Sequence, residues 1–286
     1  MIAPGSYFTW VYEDRPGSFG VLPLPEQYLK QVVPMLAAKG AKTVQTVFEG
    51  GPGMQCESAR NLTEAYGMIT QREYKMEAGP TLEDFIPIAY NMSRPDQNPD
   101  VVITCTYDAA CSEWLHALRN VSWAPKAQVF SICIGMETFE EQVGTDAEYL
   151  IGTSPWVRSL NMTDAITGWT PEYYAKLFED YSGRDAAYHS AIGQATVSVL
   201  AQAIEASDSL TYEEVSNALQ TMKFDTVFGK VVFDQNGQNE MDLIATQYTN
   251  NMTVNVVYPP KLATGNLVYP MPGWVSNLRC LWHAIE

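Results

Sequence analysis

Two periods of apolar and polar residues alternate along the chain, and the switches between them delimit its elements. Residues 26–39 carry Leu29, Val32, Val33 and Leu36 at helical spacing, with Gly40 as the stop. Residues 42–48 (KTVQTVF) alternate and are β-branched, which predicts a strand. The turn Gly50-Gly51-Pro52-Gly53 leads into a helix over 56–66, and 68–75 reads as the next strand. Thr81 and Asp84 form a capping pattern for a helix through Phe85, Ile88 and Ala89. The all-but-apolar run 101–105 predicts a strand buried on both faces. A helix through Trp114, Leu115 and Leu118 and a strand over 128–134 complete the rhythm. Strand–helix repeats of this kind predict right-handed βαβ units and a parallel sheet covered by helices.

From Thr170 the pattern changes. Thr170-Pro171 is a cap followed by proline at the first helical position. Residues 185–206 are apolar nearly all round, which predicts a buried helix, and Thr211 caps a third. Three successive helices need a sheet to pack on, and none is evident beside them. Short strands follow: 230–233 with an Asn-Gly turn, then 242–248 and 253–258 as a hairpin around Asn250-Asn251.

The charge balance narrows the partners. Seventeen basic and 33 acidic residues give a net charge of −16, which repels phosphate backbones and excludes nucleic acid as a partner. No apolar run reaches the ~18 residues of a membrane span, and residues 1–10 do not read as a signal peptide. Five Asn-x-Ser/Thr sequons, at Asn61, Asn91, Asn120, Asn161 and Asn251, point to a secreted, cell-surface or lumenal glycoprotein. Cys105 and Cys133 lie in apolar strand-like runs, where a reduced thiol is expected. Cys56, Cys111 and Cys280 lie near element ends and are candidates for pairing.

Catalytic chemistry finds no foothold. His116, His189 and His283 stand apart, without metal-ligand spacing. No nucleophile elbow is present, and Gly50 to Gly53 lacks the Lys-Ser/Thr of a nucleotide loop. Glu140-Glu141 and Glu213-Glu214 read as solvated helix faces. No cofactor, metal or enzymatic activity is expected.

Three stretches resemble the type I periplasmic binding proteins, the branched-chain amino acid receptor group and its eukaryotic receptor-type relatives. Asn98-Pro-Asp-Val-Val-Ile-Thr followed by Tyr107 is similar to the strand leading into a pocket-facing loop. The run from Ala187 to Glu205 is similar to the long helix with a Tyr near its start. Residues 228–239 resemble the G-x-V-x-F-D-x-x-G signature, and 269–274 resemble the terminus of receptor-type members. The resemblance implies an α/β fold of two lobes, each a parallel sheet flanked by helices, with most of the first lobe's sheet missing. It implies a crossover at 1–19, lobe 2 over 20–155, lobe 1 helices over 156–226, and return strands and tail packing on lobe 2 over 227–286. It implies hinge closure on an amino-acid-like small molecule. Glu49, Met54, Tyr107, Asp108, Met136, Glu137 and Tyr188 are the expected ligand-binding residues. A partner chain or an upstream segment is expected to complete lobe 1. The alternative is a structural or assembly subunit that kept the fold without a working pocket.

Overall fold

The computed structural model describes residues 1–6 and 8–273. Its elements begin with β1 (Ile2–Ala3), β2 (Phe19–Pro23), α1 (Val32–Ala38), β3 (Thr43–Glu49), α2 (Gly53–Ala65) and β4 (Ile69–Met76). They continue with α3 (Leu82–Ser93), β5 (Val101–Cys105), α4 (Asp108–Asn120), β6 (Ala127–Phe130), α5 (Glu137–Val143) and β7 (Ile151–Ser154). Then come α6 (Pro171–Ser182), α7 (Tyr188–Ser207) and α8 (Tyr212–Thr221). Five strands follow: β8 (Lys223–Thr226), β9 (Gly229–Val232), β10 (Gln238–Asn239), β11 (Ile244–Tyr248) and β12 (Val254–Tyr258).

The larger lobe is one seven-stranded sheet in the order β12-β11-β7-β6-β5-β3-β4. It is parallel from β4 to β7, and β11 and β12 add an antiparallel edge. The inner strands β5 and β6 are buried along their whole length, because helices cover both faces as the apolar run 101–105 requires. On one face Trp114 of α4 donates its indole N–H to Gln128 Oε1 at 3.0 Å, and Gln128 donates onward to Thr104 at 3.0 Å. That small network satisfies polar groups in an otherwise apolar layer.

Two disulfides correct the cysteine expectation. Cys56 of α2 pairs with Cys105 of β5, and Cys111 of α4 with Cys133 in the loop after β6, so both cysteines expected to be reduced are bonded, each to a cysteine on a covering helix. Cys280 and His283 lie outside the described residues, as does Trp274. The strand pattern hid the pairing because a half-cystine inside an apolar run looks like any small buried side chain.

The smaller lobe has a sheet after all, though a short one. β1 and β10 flank β2, both parallel to it. Strand β2 therefore belongs to this lobe and not to the larger one, where a boundary at residue 20 had placed it. The β8–β9 hairpin and β10 also pack here, whereas the resemblance implies the larger lobe for 227–239. Phe224, Val231 and Phe233 share a core with Phe19, Val21 and the inner face of α7. Two-residue strands carry no readable periodicity, which is why these helices looked sheetless. Nor is α7 buried all round: Val197 is 70% exposed and Leu200 41%. With Leu210 and Tyr212 they line an apolar groove of ≈ 450 Å³ beside β1.

Local rules explain the remaining boundaries. The capping box of Thr81 and Asp84 opens α3, and the Thr170 hydroxyl accepts from Tyr173 N at 3.2 Å to open α6. The predicted helix over 26–39 shrinks to α1 because a 3-10 turn at Pro25–Gln27 occupies its start. In the glycine signature, Asp234 accepts from Asn236 N and Gln238 N, both at 2.8 Å. Gly237 then turns at φ +79°, where a Cβ would run into the Ser18 carbonyl. That signature is fold-making.

Candidate functional site

The chain passes between the two sheets three times: from β2 to β3, from β7 to α6, and from β10 to β11. Three crossings make a hinge and leave a cleft between the lobes. Buried Asn239 braces it, donating to Val21 O at 2.8 Å and accepting from Val232 N and Met241 N at 3.2 Å. On the larger lobe the carboxyl ends of β3, β5 and β6 run into the segments before α2, α4 and α5. Ligands of open α/β sheets sit beyond such ends.

A cavity of ≈ 420 Å³ fills that position, with walls from both lobes. Gln55, Tyr107, Asp108 and Met136 come from the larger lobe. Pro4, Leu22, Tyr188 and His189 come from the smaller one, and Tyr28 from the segment that joins them. A second cavity of ≈ 680 Å³ shares Asp108, Met136 and His189 with the first, and adds Glu137, Glu140, Arg158 and Arg184. The cleft is thus apolar at its centre and acidic on one flank. Arg158 does not relieve that flank, because it is held by Glu172 at 2.9 Å and Glu179 at 2.8 Å.

Tyr107, Asp108, Met136, Glu137 and Tyr188, all expected from the sequence, meet in these cavities. Tyr107 is 53% exposed and closes over the turn before α2. A Cβ on Gly51 would sit 2.8 Å from its hydroxyl and 2.9 Å from the Phe8 ring, so a larger residue there would push those ring ends aside. Glu49 and Met54 line neither cavity. Glu49 is 1% exposed and accepts from Gly79 N at 2.7 Å and Tyr107 N at 3.0 Å. It is a strut that holds the Tyr107 backbone. Sequence reasoning placed it at the site because it follows a strand end, but its side chain turns back into the protein.

Two residues had been passed over. Gln55 lines the cavity while 1% exposed; a Gln near a helix start carries no mark of function. His189 reads in the sequence as an ordinary helix residue, yet it faces Asp108 across the cleft. Burial in the cleft raises the Asp108 carboxyl above its ordinary range, with His189 and a hydrogen bond from Thr138 opposing the shift. Burial likewise lowers the His189 imidazole, opposed by Asp108.

Glu140 also departs from its reading as a solvated carboxylate. It accepts from the Tyr248 hydroxyl at 2.7 Å, and that hydroxyl accepts from Gly135 N at 2.8 Å. Burial raises the Glu140 carboxyl, the hydrogen bond from Tyr248 lowers it, and nearby Asp185 and Glu137 raise it further. Burial and Glu140 raise the Tyr248 phenol. The chain thereby ties β11 to the loop before α5 at the edge of the cleft.

No helix among the described residues is long and apolar enough to cross a membrane, and no cluster of metal-ligating side chains occurs among them.

Comparison with known proteins agrees with this architecture. A putative branched-chain amino acid ABC transporter structure from Rhodospirillum rubrum superposes with a TM-score of 0.74 at 15% identity, covering 90% of this chain and 72% of that one. A branched-chain amino acid transporter substrate-binding protein from Streptococcus pneumoniae, solved with isoleucine, gives 0.72 at 17% identity, covering 90% and 72%. A leucine-binding protein from Thermotoga maritima gives 0.70 at 17%, covering 91% and 73%. These likenesses show the two-lobed type I fold. The periplasmic binding protein family model matches residues 2–252, and the chain belongs to that family.

Proposed function

We propose that this chain is the solute-binding domain of an extracytoplasmic receptor, closing its hinge on an amino-acid-like small molecule. The observation that carries the reading is the ≈ 420 Å³ cavity with walls from both lobes. A solute seated there touches both lobes at once, so its binding favours the closed state over the open one. Tyr107 and Tyr188 supply aromatic faces with polar tips, which suit a solute that is part apolar and part polar.

The compartment follows from separate chemistry. Two disulfides suit an oxidising environment, and Asn61, Asn120, Asn161 and Asn251 are exposed and open to glycosylation. Asn91 is half-buried, with its amide donated to the Tyr74 hydroxyl at 2.7 Å.

A second reading, that of an assembly subunit without a working pocket, draws on the smaller lobe. Its β1 edge and the apolar groove along α7 and α8 are open, a surface suited to further chain from upstream or from a partner.

Thermal-shift screening of the glycosylated, oxidised chain against amino acids, their amides and short peptides separates the two. A solute-binding domain gains stability in proportion to the logarithm of ligand concentration over Kd. An assembly subunit responds to none of them.

A further inference from the structure

Resting on the cleft being the solute site, we propose that Gln55 sets its specificity. The cleft then takes an uncharged or cationic solute that presents a donor and an acceptor side by side, as a carboxamide does. Gln55 is 1% exposed, lines the cavity, and has no protein partner for either Oε1 or Nε2. A buried amide left this way is destabilising, so its persistence needs a reason.

The reason it lacks a local partner is written in the sequence. Gln55 is the third residue of α2, where a Gln ordinarily reaches back to the N–H of the capping residue. Here the capping residue is Pro52, which has no N–H. The amide is left unmet in the cavity wall, with one acceptor and two donors for a group that reaches it.

Charge restricts what it meets. Among the described residues no Lys or Arg lines this cavity; its ionisable groups other than tyrosines are Asp108 and His189, whose imidazole burial holds toward its uncharged form. Asp108 is the first residue of α4 and already answers the positive end of that helix. An anion entering here meets a carboxylate and no counter-charge. A carboxamide satisfies both Gln55 atoms with one group, whereas a carboxylate leaves the acceptor unmet and an amine leaves the donors unmet. Leu22, Ile132 and Ile192 form the apolar wall for the rest of the solute.

The test measures binding of four probes of one shape: 4-methylpentanamide, leucinamide, leucine and 4-methylpentanoate, by calorimetry and thermal shift. The amides are expected to bind tightest and 4-methylpentanoate weakest. Gln55→Leu, of similar volume, is expected to weaken the amides about 10- to 100-fold while the ligand-free Tm stays level or rises. Gln55→Glu, which keeps acceptors and loses donors, is expected to weaken 4-methylpentanamide as well. Tightest binding of 4-methylpentanoate, or amide affinity unchanged in both variants, overturns the role of Gln55 and leaves the cleft as the solute site. No response from the wild type to any probe, or to the wider screen, overturns the solute-binding reading and this inference with it.

Discussion

Replacing Glu49 by alanine is expected to cost stability before it costs binding chemistry. The side chain is 1% exposed and gives one oxygen to Gly79 N at 2.7 Å and the other to Tyr107 N at 3.0 Å. Hydrogen bonds to a charged group contribute about 1.5–3 kcal/mol each. Losing both therefore removes roughly 3–5 kcal/mol, tempered by the access of those two backbone groups to water. In a chain of this size ~1 kcal/mol moves Tm by about 2–4 °C, so Glu49→Ala should melt roughly 6–20 °C below the wild type. Glu49→Gln keeps one acceptor but turns an NH2 toward the other N–H, and should fall between the two. The assay is paired urea and thermal unfolding by far-UV circular dichroism, without ligand. A Tm within about 2 °C of wild type, together with abolished solute binding, would refute the strut and return Glu49 to the ligand site.

Four further outcomes follow from the same geometry. Gly237→Ala forces a side chain into a left-handed turn at φ +79° against Ser18 O, and should destabilise by about 2–5 kcal/mol in urea titration. Loss of the Cys111–Cys133 link, closing 22 residues, and of Cys56–Cys105, closing 49, should cost about 3 and about 4 kcal/mol in Cys→Ser pairs. Glu140, with its folded carboxyl raised, holds its proton more tightly than in the unfolded chain, so its contribution to stability declines as pH rises from the ordinary glutamate range through the folded value. Glu140→Gln should flatten that stretch of the stability–pH curve, and an unchanged slope would count against the assignment. Expression through a eukaryotic secretory pathway should add glycans at Asn61, Asn120, Asn161 and Asn251 that glycosidase removes, with Asn91 left bare by mass spectrometry.

The larger lobe was nearly legible from residue pattern because its strands are long enough to show one. The apolar run 101–105 became β5 to the residue, and the capping signals at Thr81 and Thr170 opened α3 and α6. The four-residue β7, with a glycine inside it, and the two-residue β1 and β10 were illegible. A strand that short has no period, and its pairing is decided by partners far along the chain. That is also why α7 looked buried on every side: its composition records apolarity, not which neighbours are present to cover Val197 and Leu200. Tyr107, Asp108 and Tyr188, expected from strand ends and from resemblance, line the interlobe cavity. Gln55 was missed because its significance depends on Pro52 denying it a local bond, which a residue-by-residue scan does not weigh. Glu49 was misplaced because position after a strand does not fix the direction of a side chain.

The most direct measurement is a crystal structure with the solute that most raises Tm in the screen. The account predicts that solute in the interlobe cavity, in contact with Gln55 and Tyr107 on one side and Tyr188 on the other, with the lobes drawn together. Density for the solute in the groove between α7 and α8, or a cleft left open and empty at saturating solute, would contradict it.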